Sequence, residues 1–329
     1  RVVVNDEHHF QTFKVGGVWF DMIFVKGGTF QMGATEEQGS EAAAHEFPVH
    51  EVTLSDYYIG QIEVTQRLWQ TVMGSSNNPS TIKDSNKPVN NVTWEECQVF
   101  VEKLSQMTGY YFRLPTEAEW EFAARGGNKS KGYKYAGSDN LSDVAWYTNN
   151  SGGTTHTFAT KQPNELGIYD MSGNVWEWCY DWCGPYSAEA QVDPTGPETG
   201  EYHMYRGGGW KYFANTTRVA YRRRTYQGYD PTSLGLRLAM SKNAMIPLPE
   251  PDPIPGRRIG VFSVAKDKQV SFSQGNLQYT QSTDEWRFAR EQYAYIGEEN
   301  IKDGKLTNRI DLFGWSANNS TAPFGISTS

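Results

Sequence analysis

Cysteine is scarce in this chain. Three residues in 329, Cys97, Cys179 and Cys183, are too few to staple a disulfide scaffold, and their odd number leaves at least one thiol free or paired with another molecule. No long apolar run occurs anywhere, which excludes a membrane-buried fold. Positive charge is not in excess either. A net charge of -8, a pI near 5.4 and a mean hydropathy of -0.64 argue against a polybasic nucleic-acid surface. The chain opens on Arg1 with no charged-then-apolar leader, so the reading expects a processed or truncated chain whose targeting signal, if any, has been removed.

Glycine and large aromatics are plentiful. The 32 Gly beside 11 Trp, 19 Tyr and 16 Phe point to much irregular backbone, turned by glycine and pinned by aromatic anchors. Helix bundles and regular repeat arrays do not have this composition. The length allows one large domain or two ordinary ones. The clearest boundary is Ile246 to Pro255, IPLPEPDPIP, whose alternating prolines favour extended geometry and stop a helix from crossing. The reading is a first domain over 1–245, a linker over 246–255 and a partial, β-rich extracellular domain over 256–329. In the last of these, GVFSVAKDKQVSFSQGNLQY alternates as a β-hairpin does.

Two helices are well marked in the first domain. Thr93-Trp94-Glu95-Glu96 has capping-box spacing, and Cys97, Phe100, Val101, Leu104 and Met107 follow at helical intervals up to Gly109. Thr116-Glu117-Ala118-Glu119 repeats the start signal after Pro115, with Trp120, Ala123 and Ala124 as the apolar stripe before Gly126. A shorter helix is expected from Thr65 to Met73. Strands are expected at Trp19 to Val25, His50 to Leu54 and Tyr57 to Ile62, with 126–164 largely irregular.

The motifs GGTFQMG, EFPVHEVTL, IEVTQRLW, KPVNNVTWEEC, FRLPTEAEWEFAARGG, PNELGIYDMSGNVWEW, RGGGW and LGLRLA, in that order between Gly27 and Ala239, resemble the formylglycine-generating enzyme, or sulfatase-modifying factor, family. The match covers nearly all of the first domain. The resemblance implies an α+β variant of the C-type lectin fold with much irregular chain. It also implies a copper-dependent oxidase that converts a sulfatase cysteine to formylglycine, using two cysteines between the RGG motif and the final GFR. That stretch here, Arg206 to Met240, contains no cysteine; Tyr212 falls where the first would align and Asn215 to Thr217 cover the second. Since only cysteine supplies those soft thiolates, copper is not expected. Cys97 lies on a helix's apolar face, and Cys179 with Cys183 read as small semi-buried side chains rather than a relocated redox pair.

By the same resemblance, Asp170, Gly173, Val175 and Glu177 match the family's calcium-binding positions, two side-chain oxygens and two backbone carbonyls around a glycine turn. Hard oxygens suit calcium; the local alternative is that Glu177 caps or salt-bridges nearby groups. At the former active site, aromatics interleave with cationic forks, and the exposed subset is expected to be Tyr212, Phe213, Asn215, Tyr221, Arg223 and Tyr226. Arg218, Ala220 and Arg222 have the period of a strand with one face hidden, and Arg222 to Arg224 read as a short cationic patch, a ligand contact or a solvated edge. The segment also resembles the variable region of C-type lectin-like proteins diversified by retroelements. His8, His9, His45 and His50 lack the companions of a zinc site.

Three functions are consistent with these residues. The first is a noncatalytic module of an extracytoplasmic bacterial protein, on the cell surface or secreted, that recognises a protein or glycan through the Tyr212 to Tyr229 surface. The second is a formylglycine-generating oxidase. The third is a structural lipoprotein subunit of a surface or secretion assembly. The terminal segment resembles a repeated extracellular domain of gut Bacteroidetes proteins, which favours the first and third. No nucleic-acid partner is expected.

Overall fold

The structure is a computed structural model that describes residues 10–224 and 231–242, together with the backbone of short strands at 3–4 and between 261 and 311. In chain order the first part comprises strands β1 (Val3–Val4), β2 (Phe10–Val15), β3 (Val18–Val25), β4 (Gly28–Met32), β5 (His50–Leu54) and β6 (Tyr57–Gly60). Helices α1 (Gln66–Met73), α2 (Trp94–Thr108), α3 (Glu117–Ala124) and the single turn α4 (Leu141–Val144) come next. Strands β7 (Trp176–Trp182), β8 (Gln191–Val192), β9 (His203–Arg206), β10 (Arg222–Arg224), β11 (Leu234–Gly235) and β12 (Ala239–Ser241) complete it.

These strands form three sheets, ordered β1-β2-β3-β6-β12, β4-β5-β8 and β10-β9-β7-β11. Neighbours are antiparallel except β5 with β8 and β7 with β11. Pairing of β2 with β3 sets Phe13 opposite Phe20, and their rings stack at 5.4 Å. The α+β class with few helices is therefore what the resemblance implied.

Local chemistry explains the helices. Thr93 Oγ1 accepts the Glu96 N–H at 3.1 Å and Glu96 returns a carboxylate to the Thr93 N–H at 2.8 Å, closing the capping box. Gly109 ends α2 at φ 77°, a left-handed cap that costs glycine little. Cys97, Phe100, Val101 and Leu104 are buried as the periodicity predicts, but Met107 is 52 % exposed. Ser105 takes the inward place near the helix end, donating its hydroxyl to the Val101 carbonyl and accepting the Phe112 N–H. Helix α1 starts at its Thr65 cap as expected.

The structure departs from the sequence reading at two further places. Strand β6 stops at Gly60, two residues before the predicted end, because the chain turns Glu63 into the interior. The predicted strand through Arg218 and Ala220 is confined to Arg222–Arg224; a 3-10 turn, Ala214–Thr217, precedes it. Region 126–164 is mostly irregular, with a 3-10 turn at Gly127–Lys129 and α4.

The chain divides into two compact units, Arg1–Ile246 and Pro247–Ser329. Prolines 247 to 255 of the expected linker lie outside the described residues. In the second unit Val261–Ala265 pairs antiparallel with Lys268–Ser271, the hairpin the alternation predicts, and Leu277–Thr280 pairs with Glu285–Phe288 and Arg309–Asp311.

Candidate functional site

All eight residues of α3 are buried, three glutamates among them. Each glutamate is there because an arginine meets it. Arg222 reaches Glu117 at 2.5 Å, Arg206 bridges Glu117 and Glu121 at 2.8 Å each, and Arg125 links Glu121 to Glu37 at 2.8 and 2.6 Å. Burial pushes the Glu117 carboxyl up, but the Arg222 and Arg206 guanidiniums outweigh it and hold it below the usual range. The ladder alternates three cations and three anions. Glu119 pairs separately with Arg113, both nitrogens at 2.6 Å. Arg222, expected in a cationic patch, is thus 5 % exposed and spent internally. Arg218 is likewise buried on Glu46, at 2.6 and 2.8 Å.

A second buried centre gathers Glu63, Asp170 and Glu177 around one cation. Arg237 donates to Glu177 at 2.7 and 2.9 Å and also to the carbonyls of Gly60 and Tyr169. The Trp120 indole donates to the same carboxylate at 2.6 Å. Glu63 accepts from Asn174 Nδ2 and the Val175 N–H, yet burial, then Asp170 and Glu177, push its carboxyl well up. Burial raises Asp170 to about 6. Asp170 Oδ2 accepts the Ala159 N–H at 2.8 Å, whereas Oδ1 is buried with no partner among the described residues. Gly173, at φ 88°, turns the chain here, and a Cβ would stand 2.4 Å from the Trp146 carbonyl oxygen.

Of the four expected calcium positions, the structure therefore brings Asp170 and Glu177 into one electrostatic centre, with Gly173 in the turn and Val175 held by Glu63. An orphaned carboxylate oxygen and a surplus of buried acid suit a divalent cation at Asp170. The oxygens of Glu177 are already shared by Arg237 and Trp120. Among the described residues, no group of three or more His, Cys, Asp and Glu is arranged to hold a metal ion. Glu63 and Arg237 were missed from the sequence. Their signal was there: a lone acid in IEVTQ and a lone arginine inside the apolar LGLRLA, both spaced for burial.

On the expected ligand surface, Phe213 is 73 % exposed and Asn215 is exposed, while Tyr212, Tyr221 and Arg223 are half-buried rather than exposed. The cause is Trp176. Its buried ring meets Tyr212 edge-on at 5.3 Å and Tyr221 at 6.1 Å, and the Arg223 guanidinium lies 5.9 Å from it and 5.3 Å from Tyr212. Tyr226 and Tyr229 lie outside the described residues. Of the cysteines, Cys97 and Cys179 are buried and Cys183 half-buried, all free, with burial pushing the first two thiols well up. His45 and His50 each lie on a backbone carbonyl, at 2.9 and 3.0 Å.

Residues 11–242 match the family described as the sulfatase-modifying factor enzyme 1-like domain. The chain is 34 % identical to chaperone protein LppX of Paenibacillus barcinonensis, over 68 % of this chain and 90 % of that protein. It is 35 % identical to a formylglycine-generating enzyme of Streptomyces coelicolor over 47 % of this chain, spanning 52 % of the enzyme. Treponema denticola variable protein 1 superposes with a TM-score of 0.62 at 34 % identity, covering 70 % of this chain and 99 % of that one. With the fold, the ordered motifs and this match in agreement, the chain belongs to the sulfatase-modifying factor enzyme 1-like domain family.

Proposed function

We propose that the first unit is a noncatalytic recognition module of an extracytoplasmic protein, which binds a protein ligand on the face carrying Tyr212, Phe213, Asn215, Tyr221 and Arg223. The observation that carries this reading is the Arg223 guanidinium, 5.3 Å from the Tyr212 ring and 5.9 Å from the Trp176 ring, with the exposed Phe213 next to Tyr212 in the chain. Rigid aromatics with a planar cation are the residue types that dominate binding energy at interfaces. The lack of cysteine from Arg206 to Met240 supports it, since the resembled oxidases need thiolates there. The chaperone name of the Paenibacillus relative favours a protein over a glycan ligand. Tyr226 belongs to the same proposal. Calcium is proposed as a structural ion held by the open Asp170 oxygen and the carbonyls of Gly173 and Val175, with Glu177 kept on Arg237 and Trp120, and copper is given no part.

Phe213→Ala and Arg223→Ala should each weaken a protein ligand, selected on an array of extracytoplasmic proteins, by about 2 kcal/mol, while Trp19→Ala, at another exposed ring, leaves it unchanged. Equal binding by all three variants would remove the surface assignment, and a hit on a glycan array with the same mutant dependence would change the ligand class. The second reading, a formylglycine-generating oxidase, is favoured by the identity to the Streptomyces enzyme. Mass spectrometry of a sulfatase-derived peptide incubated with copper and reductant decides it. The expected result is no conversion above a metal-free control.

A further inference from the structure

A cavity of about 520 Å³ borders the arginine–glutamate ladder, between β5, the start of α3 and the Pro- and Gly-rich loop after β7. Its walls include His50, Glu117, Asp181, Trp182, Tyr186 and Arg222. Most of their polar capacity is used. Arg222 donates to Glu117 and to the Gly184 carbonyl, and the Tyr186 hydroxyl accepts from Arg206 at 2.8 Å. His50 sits on the Pro48 carbonyl with its ring 4.6 Å from that of Tyr186.

Asp181 is the exception. It is 4 % exposed, and its Oδ2 accepts the Glu117 N–H at 2.8 Å, which caps α3. Among the described residues no cation forms an ion pair with it. The adjoining ladder cannot lend one, because its three arginines already balance three glutamates. Burial, then Glu117, pushes the Asp181 carboxyl up to about 8, with Glu119 adding to the effect. The other charged or titratable groups around it are Arg222 on β10, His50 on β5 and Tyr186 in the loop after β7, which line the same cavity, with Cys179 on β7 and His203 on β9. His203 lies on the Asp181 carbonyl at 3.2 Å, and burial lowers its pKa.

We propose that this cavity is a binding site for a monovalent organic cation, an alkylammonium such as a lysine side chain, with Asp181 as its counter-ion. The volume lies within the range of small-ligand sites, and Trp182, Tyr186 and His50 give the ligand's apolar stem ring surfaces to pack on. An anion would have to compete with Glu117, which already holds the Arg222 guanidinium through two of its nitrogens. A divalent metal finds one uncommitted carboxyl, because Glu117 is bound by two arginines. A neutral ligand leaves the buried acid as it was. When the ammonium binds, the Asp181 carboxyl gives its proton to solvent and the carboxylate accepts from the ammonium, so one proton leaves for each cation bound.

The test is calorimetric titration of the full chain with Nα-acetyl-lysinamide, using Nα,Nε-diacetyl-lysinamide as the neutral control. The first should bind and the second should not. Affinity should rise about tenfold per pH unit as pH approaches 8, and buffers of different ionisation enthalpy should report a released proton. Asp181→Asn, which keeps an acceptor for the Glu117 N–H, should abolish the pH dependence and weaken binding at least about tenfold above pH 8, the range in which a full charge is lost. Phe213→Ala should leave this binding unchanged, which separates it from the recognition face. Equal binding of the two ligands, no proton release from the wild-type chain, or wild-type affinity in Asp181→Asn would each overturn the assignment. The proton count needs no variant and decides the matter even if Asp181→Asn fails to fold.

Discussion

Glu121 is fully buried, and its carboxylate holds the Gly33 N–H at 2.9 Å together with Arg125 and Arg206. Truncating one member of such a group strands its partners in a low-dielectric interior. Glu121→Ala should therefore cost about 3–5 kcal/mol in urea unfolding, whereas Lys242→Ala, at an exposed pair with Asp56, should leave the midpoint unchanged. Asp181 makes a pH-dependent prediction of opposite character. Its folded pKa of about 8 lies above the ordinary value of 3.8, so between these limits the folded chain keeps a proton that the unfolded chain has released. This group's contribution to stability thus falls as pH rises through that window, being complete below it. Asp181→Asn should flatten the fall, measured as unfolding midpoint against pH; an unaltered slope would show that the carboxyl is not held neutral.

At the scale of elements, α2 and α3 share a start device but differ in their surroundings. Thr93→Ala removes a cap from a helix with one buried stripe, and should cost about 1 kcal/mol with an unchanged denaturant slope. Thr116→Ala should cost more. Its capping partner Glu119 also binds Arg113, so the cap and an ion pair are coupled. The spacing of α2 shows in its sequence because packing there is one-sided and apolar. The environment of α3 does not show, since a Glu-rich helix normally reads as a solvated face and arginines from distant β9 and β10, with Arg113 before the helix and Arg125 beyond its end, make it interior.

For the molecule as a whole, the carboxylate centre ties the turn between Gly60 and α1, the irregular 159–177 stretch, β7 and the approach to β12. If calcium occupies it, millimolar calcium should raise the melting temperature and chelator should lower it, because an ion bound only by the native state stabilises that state. Asp170→Asn is the informative variant. Asn tolerates the positive φ of 59° at this position and removes the charge that lacks a partner. Glu177→Ala is not, for it would leave the buried Arg237 unpaired and unfold the domain with or without calcium. A calcium response that persists in Asp170→Asn removes the ion from this site.

By itself the sequence determined the helix starts at Thr65, Thr93 and Thr116, the strands β3, β5 and β6 and the family, because capping, periodicity and ordered motifs are local properties of the chain. Only the tertiary structure decided the roles of its charges. Arg218 and Arg222 read from the sequence as cationic forks of a ligand surface, but both are buried on glutamates from segments many tens of residues away, as Arg206 and Arg237 also are. The same long-range packing half-buries Tyr212 and Tyr221 against Trp176 and, among the described residues, leaves Asp181 without a counter-charge. Desolvation and pairing depend on which segments meet in space, and a linear pattern carries no record of that.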